Sequence, residues 1–306
     1  LTNRSVALNV ETAFGGGTPV PTAPLHVTAI NDPVDRGAML EETIGYPLYA
    51  SAYGGALRLS GTLEGVLRMP SMDPLFQGIF GAPTVGTYSI ANFPKSLVME
   101  VVDDSTGVDK CFRYVGVGIK SLELTMAAKD FVRTRWDWFA KDVSQVTEST
   151  LGAYPADLPG VFYGAALSLG GSAVDHIKTL SLKIDRKLDD DYFVIGHSKI
   201  QDLAIAGVGD IGGSVTVGQK YWPEFQRAVF GGTSTTTIGD TSANTLGTAT
   251  FSLDLNDPDG GSICEITADW LCYLDASRQM QGRNMVDKTM NFKLIGDTLE
   301  VHDSTS

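Results

Sequence analysis

The sequence predicts a mainly β protein made of two tandem β-sandwich or barrel modules, each with one short flanking α-helix. Three observations predict it. The 306-residue chain has 34 glycines but only 19% charged residues, a balance that favours short strands and turns over long charged helices. Blocks of sequence recur in the same order at offsets of 150 to 155 residues. Within each copy apolar residues alternate, except for one stretch of helical spacing behind a proline.

The recurrence runs block by block. Asp35-Arg36 and the segment ending at Gly45 match Asp185-Arg186 and the segment ending at Gly196. SGTL, Ser60 to Leu63, matches GGSV, Gly212 to Val215, and LFQGIFG ending at Gly81 matches FQRAVFG ending at Gly231. The turn ending at Cys111 matches the one ending at Cys264, and RTRWDWFAKD, Arg133 to Asp142, sits opposite KTMNFKLIGD, Lys288 to Asp297. Two copies of a module of roughly 150 residues are the expectation.

Strands are expected around Leu57 to Leu63 and at Leu97–Val101, Phe112–Val117, Leu122–Met126, Leu180–Ile184, Val215–Val217 and Phe251–Leu255, where branched and aromatic residues alternate with polar ones. The helix of each copy follows Pro74 or Pro223, because a proline in the first turn leaves no N–H unpaired, and it ends at Gly81 or Gly231. Phe76, Ile79 and Phe80, with Phe225, Val229 and Phe230 in the second copy, form a stripe able to lie on a sheet. The polar stretch Lys141 to Pro159, punctuated by Pro155 and Pro159, reads as a connection. The expected division is 1–145 for the first module, 146–160 for the linker and 161–306 for the second.

A net charge of −13 opposes binding to nucleic-acid phosphates or anionic lipid. Three cysteines, an odd number without CxxC spacing, fit a protein kept in a reducing compartment. The first residues lack a signal-peptide pattern and no apolar run reaches membrane-spanning length, so a soluble chain is expected.

Each chemical motif has a plainer reading. GVGDIG, Gly207 to Gly212, fits a dinucleotide fingerprint, but an alternating strand follows it where a helix N-terminus would be needed. Ser168 lies in ALSLG, which lacks the first glycine of a nucleophile elbow. His26, His176, His197 and His302 are solitary. DLNDPDGG, Asp254 to Gly261, lacks the closing glutamate of a calcium loop and reads as a hairpin turn, and Asp189-Asp190-Asp191 reads as a solvated turn. Trp136 and Trp138 alternate into a strand core. Catalytic, cofactor-binding and metal-ligating residues are all expected to be none, and the chain is expected not to be an enzyme.

VETAFGGG near the start, KTLSLKIDRKLDDDYFVIG, GGSVTVG and RTRWDWFAKD resemble the major tail tube proteins of tailed bacteriophages and related archaeal viruses, especially those with two tube modules in one polypeptide. The resemblance implies a virion protein made in the host cytoplasm, without cofactors. It further implies that the chain packs against itself in ring and stack, meets tape-measure, terminator and distal tail proteins, and lines a channel that DNA traverses without specific binding or membrane contact. Two modules per chain imply a homotrimeric, pseudo-hexameric ring, since unlike surfaces joined head to tail close into rings. Tyr46 to Gly55 and His197 to Gly209 are candidate stacking loops. The alternatives are a tube of a contractile injection or secretion machine, and a tandem β-sandwich adhesin using Trp136, Trp138, Trp222 and Trp270 as sugar platforms.

Overall fold

The computed structural model describes residues 4–22, 24–37, 39–41, 51–103, 110–147, 149, 151–218, 222–231, 248–279 and 287–303. The protein is mainly β, with antiparallel strand pairing throughout and two α-helices among the described residues. Helix α1 spans Asp73–Phe80 and α2 spans Pro223–Phe230, each with proline in its first turn and a positive-φ glycine, Gly81 or Gly231, just past its end. The expected stripe of α1 is fully buried. A buried Phe or Ile contributes about 1.5–3 kcal/mol, which outweighs the weak intrinsic stability of an eight-residue helix.

The strands of the first half pair in the order Arg4–Val10, Leu97–Asp103, Lys110–Ala127, Arg133–Ala140, Arg58–Val66, Val27–Asn31. Those of the second pair in the order Ala166–Leu169, Thr248–Asn256, Ser262–Gln279, Asp287–Asp303, Asp210–Val217, Ile177–Asp185. Lys110–Ala127 and Ser262–Gln279 are both 18 residues long. The expected strands Phe112–Val117 and Leu122–Met126 are one strand, whose pairing shifts register between Ile119 and Ser121. Ser262–Gln279 shifts between Tyr273 and Asp275.

Register corrects one sequence match. Leu63 faces Trp136 and Val215 faces Met290, so the last strands correspond at an offset of 154, one residue from the match of Arg133 with Lys288. That slip would have set Trp136 against Asn291 and exchanged the core face for the solvent face. The polar stretch from Lys141 is also strand in part. Asp142–Val146 pairs with Cys111 to Val115, so the connection begins after it.

Gly61 and Gly213 occupy matching places, and their backbones lie against strand carbonyls, Asn31 O and Ser181 O, beneath the Trp138 and Phe292 rings. A Cβ at either would collide with a carbonyl, so glycine is what lets the strand approach closely.

Candidate functional site: the polar face of the sheet and the seam between its halves

Trp136 points to the helix side, where its ring meets Phe76 edge-on at 5.2 Å, so its neighbours Arg135 and Asp137 point away. Across the sheet on that opposite side run Glu64, Arg135, Glu123, Lys183, Gly212 and Lys293, each facing the next. The adjacent row is Thr62, Asp137, Ser121, Asp185 and Asp210. Together the rows hold five carboxylates and three cations, and two of the three cations are engaged: Arg135 lies 3.6 Å from Glu64 and 3.4 Å from Asp137, and Lys293 lies 2.9 Å from Asp210. Burial raises the Asp185 carboxyl, but the contacts from Lys187 outweigh it and its pKa sits below the ordinary value. Such exposed pairs add at most about 1 kcal/mol each, so their effect is on the potential of the face more than on stability.

The two halves meet in one continuous ladder. Ser121–Ala127 pairs antiparallel with Thr179–Asp185, and Leu124 faces Leu182, both fully buried. The Arg186 backbone N–H donates to Lys120 O at 2.9 Å, and the buried guanidinium donates to the carbonyls of Ile90 and Asn92. Burial lowers the Arg186 pKa. Asp190 and Asp191 are more than a solvated turn, because they bind Lys120 and Arg58 across the seam, each at 2.6 Å. Lys199 reaches Asp142 at 2.5 Å. Leu188, Ile200 and Leu203 bury against Phe139 of the first half. The first part of the candidate loop His197–Gly209 therefore belongs to the seam, and exposed apolar groups begin at Ile205 and Val208. Of the other candidate loop, residues 46–50 lie outside the described residues and Ser51–Tyr53 pairs with Met39–Glu41. A second contact joins the halves where Thr87–Ser89 pairs with Glu300–His302.

The VETAFGGG block has a local task. The buried Glu11 carboxylate accepts from the N–H groups of Gly15 at 3.0 Å, Gly17 at 2.9 Å and Gly116 at 3.1 Å, which ties the glycine loop to the bend of the long strand.

A family model described as phage tail tube protein matches residues 2–294. The chain belongs to the phage tail tube protein family. No curated protein matches it. As a tail tube protein it is a structural component of a virion that assembles with copies of itself into a tube.

The remaining sequence candidates in this tail tube protein fall into structural places. Gly207 to Gly209 form a connection ahead of the strand Asp210–Val217, and Ser168 sits in a ladder opposite Ser252. Asp257 closes the 254–261 hairpin, its Oδ1 accepting from Asp259 N at 2.9 Å and Gly261 N at 2.8 Å, while the matching turn at 104–109 lies outside the described residues. His26 contacts Pro155 O, and His302 contacts Thr87 Oγ1. Trp136 and Trp138 are core residues, which removes them as sugar platforms, whereas Trp222 and Trp270 are partly exposed. Among the described residues no group of three or more His, Cys, Asp or Glu could hold a metal ion, and no helix is long and apolar enough to cross a membrane.

Proposed function

We propose that the chain is a tandem duplication in which residues 1–145 and 161–306 are equivalent tube modules joined by 146–160. Three chains then form a pseudo-hexameric ring, and stacked rings make the channel through which DNA is ejected into the host. The carrying observation is that both halves pair their strands in one order, at matching registers, and already join each other through a sheet ladder. A sheet built this way has its helices on one side and its polar rows on the other. Helices take up room, so they belong on the outside of a ring and the rows on the wall of the channel.

Duplex DNA carries one negative charge per roughly 1.7 Å of axis, and a wall with free cations would hold it. Rows in which carboxylates outnumber cations five to three offer little to bind. Tape-measure, terminator and distal tail proteins are the partners this reading gives to the lumen and the tube ends.

The test is the cross-section of assembled particles by cryo-electron microscopy, with native mass spectrometry of released rings. Three chains per ring are expected. Six chains per ring, or particles without a central channel, would overturn the reading.

A further inference from the structure

We infer that neighbouring chains in a ring are joined by a defined strand pairing, with Asp275–Gln279 of one chain laid antiparallel against Asn31–Asp35 of a second copy. The inference rests on the tandem, ring-forming reading above and deepens it to named residues. Its template is the seam inside the chain, where Ser121–Thr125 pairs with Ser181–Asp185.

Register carries the template across. Leu122 faces Trp136 and Ala276 faces Met290, so position 122 corresponds to 276. Leu180 faces Val215 and Ile30 faces Leu63, so position 180 corresponds to 30. Both strands shift register at the same place, between Ile177 and Thr179 and between Val27 and Ala29. Among the described residues, Asp275–Gln279 pairs on one edge only, with Asp287 to Asn291. Val27–Asn31 and Val34–Asp35 likewise pair on one edge only, with Thr62 to Gly65 and with Arg58 and Leu59, and Asp32 and Pro33 link these two strands, proline being tolerated at a sheet edge. Each is the edge that, in the other half, takes part in the seam. Unpaired edges of this kind accept a further strand.

The apolar surface agrees. Val34 is 50% exposed, whereas its counterpart Ile184 is fully buried in the seam. Met39, in the hairpin that corresponds to the one holding Leu188, is 57% exposed, whereas Leu188 is 4% exposed. Leu274, beside the other free edge, is 55% exposed.

Transferring the register places Arg278 opposite Asp32, where the seam has Leu124 opposite Leu182. Asp32 accepts from the Tyr114 hydroxyl at 2.9 Å, and the Arg278 guanidinium lies 5.9 Å from the Phe225 ring centre. Opposite charges directly across an antiparallel ladder attract. The same register sets Asp275 opposite Asp35, with Arg58 facing Asp35 from within its own chain. The junction between chains is thus marked by charge where the junction within the chain is apolar. That difference favours one partner and one register for each edge.

The test is a double variant, Asp32→Cys with Arg278→Cys, assembled and then oxidised. The three native cysteines are buried, which keeps the background low. Facing Cβ atoms in a ladder lie about 4.5–5.5 Å apart, close enough to a disulfide's requirement to cross-link. Denaturing gels without reductant are expected to show chains linked up to a closed set of three, and each single variant is expected to show none. Tubes that form while the double variant links no better than the singles would overturn the pairing and leave the ring reading standing. A wild-type chain that forms no ring overturns both. Hydrogen exchange on the unmodified protein decides the case even if the variant fails to fold. Amides of 275–279 and of Asn31, Asp32, Val34 and Asp35, Pro33 having none, are expected to exchange about tenfold or more slowly in tubes than in free subunits, and equal rates would overturn the pairing.

Discussion

Helices α1 and α2 have the same length, the same proline start and the same glycine end, yet they lie on opposite kinds of surface. Under α1 the contacts are mostly apolar: Phe76 and Phe80 stack 6.3 Å apart and Phe76 meets Trp136, and the hydroxyl of the buried Tyr88 donates to Asp73 at the helix start. Under α2 they are polar. The buried Glu224 accepts from the Tyr273 hydroxyl at 3.1 Å and lies 3.2 Å from Arg227, and the buried Lys288 ammonium sits 3.6 Å from the Trp222 ring centre. Punctuation and register set where the helix goes, and a wide range of chemistry can fill the space beneath it. The location of the difference also matters. α1 packs on Lys110–Ala127, whose outer edge is sealed by the seam, whereas α2 packs on Ser262–Gln279, whose last residues pair on one edge only among the described residues.

The largest effect should come from the aromatic cluster under α1. Trp136→Ala removes the ring that Phe76 packs against and should cost about 3–5 kcal/mol, whereas Met290→Ala at the matching register position should cost about 2–3 kcal/mol, a thioether leaving a smaller hole. Urea denaturation of both variants measures the gap, and a larger loss for Met290→Ala would mean that the second half holds the tighter core.

The polar character reverses one layer away. In the first half the fully buried Glu100 faces Arg113, whose Nη2 lies 2.5 Å from its carboxylate, and the matching pair in the second half is Leu253 facing Ile266. Arg113→Met should cost about 3 kcal/mol, because it leaves a buried carboxylate without its cation, held by the Ser149 hydroxyl at 2.9 Å. The double change Glu100→Leu with Arg113→Ile, which copies the second half, should recover most of that or exceed the parent. A double variant as unstable as the single one would show that Glu100 does something beyond pairing.

The parts of this fold that local chemistry announces were legible in the sequence. Pro74, Pro223, Gly81 and Gly231 delimit the helices, and alternation marks the strands. Alternation could not show that 112–117 and 122–126 are one strand, because a register shift between Ile119 and Ser121 interrupts the period without ending the strand. Nor could it fix the last strand's register, where Lys288 and Arg133 both look like a start. The seam left no local trace at all. Lys120 and Asp190 are 70 residues apart, Arg58 and Asp191 are 133 apart, and an acidic run looks the same in sequence whether it meets water or a facing cation. Glu11 was hidden for a related reason: its partners are backbone N–H groups, which carry no residue signature.

The smallest expected effect sharpens the contrast beneath α2 through pH. Burial raises the Glu224 carboxyl above its ordinary value of 4.5, against the lowering pull of Arg227 and of the Tyr273 hydroxyl. The folded state therefore holds this proton more tightly than the unfolded chain does. With more protons bound in the folded state, stability falls as pH rises from about the unfolded pKa through the raised folded one, and it levels off above that. Glu224→Gln keeps an oxygen for the Tyr273 hydroxyl but has no proton to lose, so its stability should lack that decline. Denaturation midpoints of wild type and variant, compared at several values from pH 4 upward, should diverge in the weakly acidic range and run parallel at neutral pH. Curves that stay parallel throughout would mean that Glu224 titrates alike in the folded and unfolded chain, and a wild type that gains stability with rising pH relative to the variant would mean that Arg227 holds the carboxylate charged.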